Sequence, residues 1–153
     1  MPSTPATTQV ERQTHTLRLK MDMQNVKREM TTGLPENPLQ EKSMEFAVRI
    51  VSLSRTLRDE CKEYALADQV LRSGTSIGAN LAEAAFATSK KDFLVKAKIA
   101  LKECSETRFW LKLLIRSKIF PKSRLSPLLS SCTELLRMLV STCKTTEERL
   151  KSP

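Results

Sequence analysis

The sequence predicts an all-α protein, an antiparallel up-down-up-down four-helix bundle. Three observations carry that prediction. Apolar residues recur at helical spacing over four stretches between residues 37 and 145, short links separate those stretches, and no stretch shows the two-residue alternation of a strand. The chain has 153 residues, enough for one domain with a core of ordinary size.

Residues 1–36 are rich in Thr, Gln and Pro and lack sustained periodicity. They read as a flexible arm or as an arm that binds a partner. The first helix begins at Asn37-Pro38, a favoured N-cap followed by a favoured first helical residue. Phe46, Ile50, Leu53, Leu57 and Cys61 then hold helical spacing to about Lys62. The second helix spans Tyr64 to Ala87, with Leu66, Val70, Ile77, Leu81 and Ala85 on its apolar face. Two of the chain's three glycines, Gly74 and Gly78, sit inside it. Each costs a helix about 1 kcal/mol relative to alanine. Together with Ser73, Ser76, Ala79 and Ala82 they leave one side nearly free of bulk, which predicts helix close packing there.

Ser89 and Asp92 form a variant capping box that opens the third helix, which runs to about Lys118, before Phe120-Pro121. The fourth covers Ser123 to Thr145, carrying Leu125, Leu128, Leu129, Cys132, Leu135, Leu136, Leu139 and Val140. Pro127 lies in its first turn or marks a slightly later start. The domain organisation that follows is an arm at 1–36, a bundle at 37–146 and a short tail at 147–153.

At about 100° per residue the third helix resolves into three stripes. Phe93, Ala97, Ala100, Cys104, Leu111 and Ile115 face the core. Lys91, Lys98, Lys102 and Arg116 lie opposite, with Phe109 among them. Between the two runs a second apolar strip, Val95, Ile99, Trp110 and Leu113, that one bundle core does not need. A helix apolar on two sides must bury two sides, so this strip is predicted to be a homo-oligomer interface with Trp110 as its anchor.

The net charge is +9, and it is unevenly placed. Residues 89–121 hold nine Lys/Arg against three Asp/Glu, whereas residues 37–88 hold six against seven. A local basic excess points to an anionic partner, RNA or DNA, met through phosphates. The predicted nucleic-acid-binding residues are Lys91, Lys98, Lys102, Lys112 and Arg116, with Lys90, Arg108, Lys118 and Lys122 as further contributors.

Other classes find little support. There is no P-loop, GxGxxG or HExxH, and the single histidine, His15, lies in the arm, so no catalytic residues are assigned. Cys61, Cys104, Cys132 and Cys143 show no CxxC spacing and read as buried free thiols; no metal site and no cofactor is predicted. Glu83 and Glu103 are expected to pair with Arg72, Arg108 or Asn80. No run approaches the roughly 20 apolar residues of a membrane span, and the first residues lack a signal-peptide core, so the expected location is the cytoplasm.

The stretch Gln69-Val-Leu-Arg-Ser-Gly-Thr-Ser-Ile-Gly-Ala-Asn-Leu-Ala-Glu-Ala84 resembles the signature of bacterial four-helix-bundle proteins encoded by 23S rRNA intervening sequences. The likeness extends upstream through Asn37-Pro-Leu and Lys42-Ser-Met-Glu-Phe-Ala47. Downstream it takes in Ser89-Lys-Lys-Asp-Phe93, Ile99-Ala-Leu-Lys-Glu103, Glu106-Thr107 and Trp110-Leu-Lys-Leu-Leu114. It spans roughly residues 37–145. The resemblance implies a non-catalytic bundle that assembles into a homopentameric ring with a basic surface. It also implies kinship with the accessory variability determinant of diversity-generating retroelements, which binds a reverse transcriptase and nucleic acid. An accessory protein that binds RNA or RNA/DNA beside a reverse transcriptase is then expected. The alternative is a scaffold ring that docks on a polymerase without functional nucleic-acid contact.

Overall fold

A computed structural model describes residues 37–152; the arm assigned to residues 1–36 lies outside the described residues. Four helices fill the described chain: α1 Pro38–Asp59, α2 Tyr64–Ala84, α3 Lys90–Arg116 and α4 Lys122–Lys151. Among the described residues there is no strand. Each helix packs against its neighbours in chain order, and α4 returns to α1 along the sparsest of the four seams.

The helix starts follow the local chemistry. The Asn37 side chain accepts from the Leu39 N–H at 3.1 Å, and Pro38 opens α1. At α3 the Ser89 hydroxyl accepts from the Asp92 N–H at 3.1 Å, while the Asp92 carboxylate reaches back to the Thr88 N–H at 3.1 Å. The box therefore closes one residue upstream of its usual position. Lys62 and Lys118, just past α1 and α3, both adopt φ 58°, the left-handed conformation that ends a helix and turns the chain.

Every helix ends away from its predicted last residue; α1 stops at Asp59 and α3 at Arg116, two or three residues before the expected Lys62 and Lys118. α2 stops at Ala84, and Phe86 and Ala87 form turns back onto Glu83 and Ala84. α4 begins at Lys122, passes through Pro127 and continues to Lys151, so most of the predicted tail is helical. Cys143 is buried there and Lys98 pairs with Glu147, which ties the last turns of α4 to α3.

The main core is built from Phe46, Ile50 and Leu57 of α1, Val70 and Ile77 of α2, Leu111 and Leu114 of α3, and Leu125, Leu135 and Leu139 of α4. A smaller cluster, Leu94, Ala97 and Cys143, with Phe93 and Leu101 against it, sits where α3 meets the end of α4. Ala97, Ala100, Cys104 and Leu111 are fully buried as the α3 periodicity predicts, and Leu94, Thr107 and Leu114 join them. Phe93 and Ile115, predicted for the core, are only half-buried.

Between α1 and α2, Gln40 Nε2 reaches Leu81 O at 3.1 Å, Ile50 lies against Gly74, and Ser54 Oγ reaches Ala67 O at 3.2 Å. The two glycines differ. A Cβ built on Gly74 would fall 2.7 Å from Ile50 Cγ2, inside any van der Waals contact. On Gly78 it would meet the Ser43 Oγ at 3.6 Å, an ordinary contact.

The α3–α4 seam holds a reciprocal thiol pair. Cys104 donates to Cys132 O at 3.4 Å and Cys132 to Cys104 O at 3.5 Å, with the sulfurs 3.9 Å apart. The hydrogen bond with Cys104, and then burial, push the Cys132 thiol far above its ordinary pKa. Burial likewise raises Cys143. All four cysteines are free.

Candidate nucleic-acid interface

The outer face of α3 is a single line of side chains. Lys91, Val95, Lys98, Lys102, Ser105, Phe109, Lys112 and Arg116 are all exposed and recur at alternating steps of four and three. That step keeps residues on one side of a helix turning 3.6 residues per turn, so the line is directed away from the core. All five predicted nucleic-acid-binding residues stand on it.

The five are not equivalent. Among the described residues, Lys91, Lys102, Lys112 and Arg116 make no ion pair, whereas Lys98 is bound to Glu147 of α4. The Glu147 carboxylate, hydrogen-bonded to Lys98, holds that ammonium above the usual lysine range, and Lys98 in turn holds Glu147 below the usual carboxylate range. Of the further contributors, Lys90, Lys118 and Lys122 are exposed at the ends of α3 and α4. Arg108 is half-buried, and its Nε is buried without a hydrogen-bond partner.

The second apolar strip divides. Trp110 packs against the main core and donates its indole N–H to Glu106 Oε1 at 3.1 Å. Glu106 also takes Arg72 of α2 at 2.7 Å. Ile99 and Leu113 are half-buried and Val95 is 50% exposed. The structure thus places Trp110 in a polar brace between α2 and α3, leaving Val95 as the most open member of the strip.

Neither Glu83 nor Glu103 pairs with Arg72, Arg108 or Asn80 among the described residues. Glu83 pairs with Lys96, because α3 brings that lysine beside the end of α2. Arg72 is taken by Glu106, and the Asn80 amide donates to Ser76 O within its own helix at 2.8 Å. Glu103 Oε2 is buried with no hydrogen-bond partner. Sequence reasoning also missed Thr107, whose hydroxyl lies 3.0 Å from the Ser73 hydroxyl and donates to Glu103 O at 2.8 Å. A threonine at a core position of the apolar repeat was the available signal.

Among the described residues, no three His, Cys, Asp or Glu side chains converge as metal ligands, and no helix is long and apolar enough to cross a membrane.

Fold and site together define an all-α protein whose third helix is core on one face and basic on the other. Residues 36–141 match the 23S rRNA-intervening sequence protein family, and the chain belongs to that family. A crystal structure of a protein of unknown function from the S23 ribosomal protein family of Bacteroides thetaiotaomicron is 47% identical, with a TM-score of 0.68. The likeness covers 69% of this chain and 98% of that one. No curated protein matches the chain.

Proposed function

We propose that this protein is a non-catalytic, cytoplasmic nucleic-acid-binding subunit. Four helices fold as an antiparallel up-down-up-down bundle, copies assemble into a ring, and the outer face of α3 holds RNA or RNA/DNA. The observation that carries the reading is the line of exposed cations Lys91, Lys102, Lys112 and Arg116, without ion-pair partners among the described residues. A salt bridge satisfies a surface cation locally, whereas an unpaired row is available to a row of phosphates.

The antiparallel arrangement is supported by the crossed order of the α1–α2 contacts, in which residues 40, 50 and 54 meet 81, 74 and 67. Self-assembly is supported by the half-exposed strip of Val95, Ile99 and Leu113, beside Trp110. Membership of a family named for 23S rRNA intervening sequences adds an RNA context. The test is binding of RNA at about 50 mM and about 500 mM salt. Affinity should fall steeply between them, as counterion release requires. Equal affinity at both would end the phosphate reading. Light scattering at micromolar concentration tests the ring, and a strict monomer would end it.

A second reading is a scaffold that docks on a polymerase, such as a reverse transcriptase. It is favoured by Met44 and Val48, one turn apart on α1 and 65% and 62% exposed. Polymerase capture that survives nuclease treatment and is lost in Met44→Glu/Val48→Glu would support it.

A further inference from the structure

We propose that Phe109 is a stacking platform for a nucleobase, which makes the α3 stripe a surface for single-stranded rather than duplex nucleic acid. The proposal rests on the reading of that stripe as a phosphate-binding face. Phe109 is 58% exposed, in line with Lys102, Lys112 and Arg116. Along the helix, Lys112 lies about 4.5 Å from it and Lys102 and Arg116 each about 10 Å, so flexible cations flank the ring on both sides.

The ring is also held in place. Trp110 meets it in a T-shaped contact, with centroids 5.0 Å apart and planes at 72°. Trp110 is itself fixed by its bond to Glu106, which Arg72 clamps from α2. A braced aromatic among unpaired cations is the combination that captures single strands, in which the charges follow the backbone and the ring takes an unstacked base. A duplex offers no free base face to such a ring. The other possible occupant is a second copy of the chain. Charged residues are depleted from the cores of protein interfaces, however, and five cations share the line of Phe109, three of them within about 10 Å along the helix. The uncharged Ile99–Leu113 strip suits a subunit contact better.

Trp110 is the only tryptophan in the chain, so its fluorescence reports on the neighbouring ring. The full chain is titrated with oligo-uridine and with a loop-free, blunt-ended RNA duplex of equal phosphate number, as wild type, Phe109→Ala, Phe109→Tyr and Lys102→Glu/Lys112→Glu. Wild type should bind oligo-uridine more tightly than the duplex, with a change in Trp110 emission. Phe109→Ala should weaken oligo-uridine binding by about 5- to 150-fold and leave duplex binding unchanged; Phe109→Tyr should restore it. The charge reversals should weaken both ligands. Equal binding of oligo-uridine by wild type and Phe109→Ala overturns the proposal. So does equal binding of both ligands by wild type, although the phosphate reading then survives if the charge reversals still weaken them. A change of particle mass in Phe109→Ala by light scattering assigns the ring to a contact between copies and also overturns it. Wild type that binds neither ligand removes the phosphate reading and this one together.

Discussion

The inward face of α2 at Gly74 and the outward face of α3 at Lys102 place opposite demands on a side chain. One added carbon at Gly74 would lie 2.7 Å from Cγ2 and 2.8 Å from Cγ1 of Ile50, which is itself fully buried. Those atoms sit next to the Ile50 backbone and cannot swing aside as a long side-chain tip could. At Lys102 the side chain stands in solvent, and its volume is of little consequence. Its sign is what counts. The first face is therefore sensitive to size and the second to charge, and substitutions on each should leave the property of the other untouched.

The largest effect should come from Gly74→Leu. Overpacking against Ile50 should lower unfolding free energy by about 3 kcal/mol in denaturant titration. A loss below about 0.5 kcal/mol would show that α1 can move aside. Next, Lys102→Glu/Lys112→Glu/Arg116→Glu should weaken single-stranded RNA binding by about 100-fold and reduce the salt slope by about 2, while the melting temperature barely moves. A drop in melting temperature together with binding would erase the distinction between the faces.

A smaller effect of opposite sign is expected one turn along α2. Gly78→Ala should stabilise the fold by about 0.5–1 kcal/mol, since its Cβ meets Ser43 at an ordinary 3.6 Å and the helix gains propensity. Destabilisation there would mean that the close approach extends over both glycines. The smallest effect is that of Glu147→Gln, which releases Lys98 into the stripe and should tighten RNA binding about twofold. With the Glu147 pKa held below its ordinary value, the Lys98 pair is complete above the carboxylate range and opens only as pH falls through that lowered value. Wild-type affinity should therefore show no step from this pair between about pH 6 and pH 8. A step in that window, absent from Glu147→Gln, would contradict the assignment.

Much of this fold was legible because local chemistry and tertiary packing agree. Asn37-Pro38 and Ser89–Asp92 mark helix starts by groups that satisfy exposed backbone N–H, and the structure uses them so. The end of α4 was less legible. Residues 144–151 carry charged side chains with little apolar rhythm, and the pair that ties them to α3, Glu147 with Lys98, joins positions 49 apart in the chain. The candidate site divides in the same way. The α3 periodicity put all five cations on one face, but it could not show that Lys98 is engaged by Glu147 or that Trp110 turns to Glu106. Partner choice among acids depends on which helices adjoin, and helical spacing within one segment carries no such information.

The unequal lengths of the helices bear on how the molecule comes apart. α1 has 22 residues and α4 has 30, about 33 Å and 45 Å of helix. Lys42, near the start of α1, pairs with Glu134, so seventeen residues of α4 follow that point while only four of α1 precede it. The last turns of α4 have α3 beside them and only the small Leu94–Ala97–Cys143 cluster beneath. Their amide protons should exchange with solvent through local fraying, well ahead of those around Leu135 and Leu139, which exchange only when the main core opens.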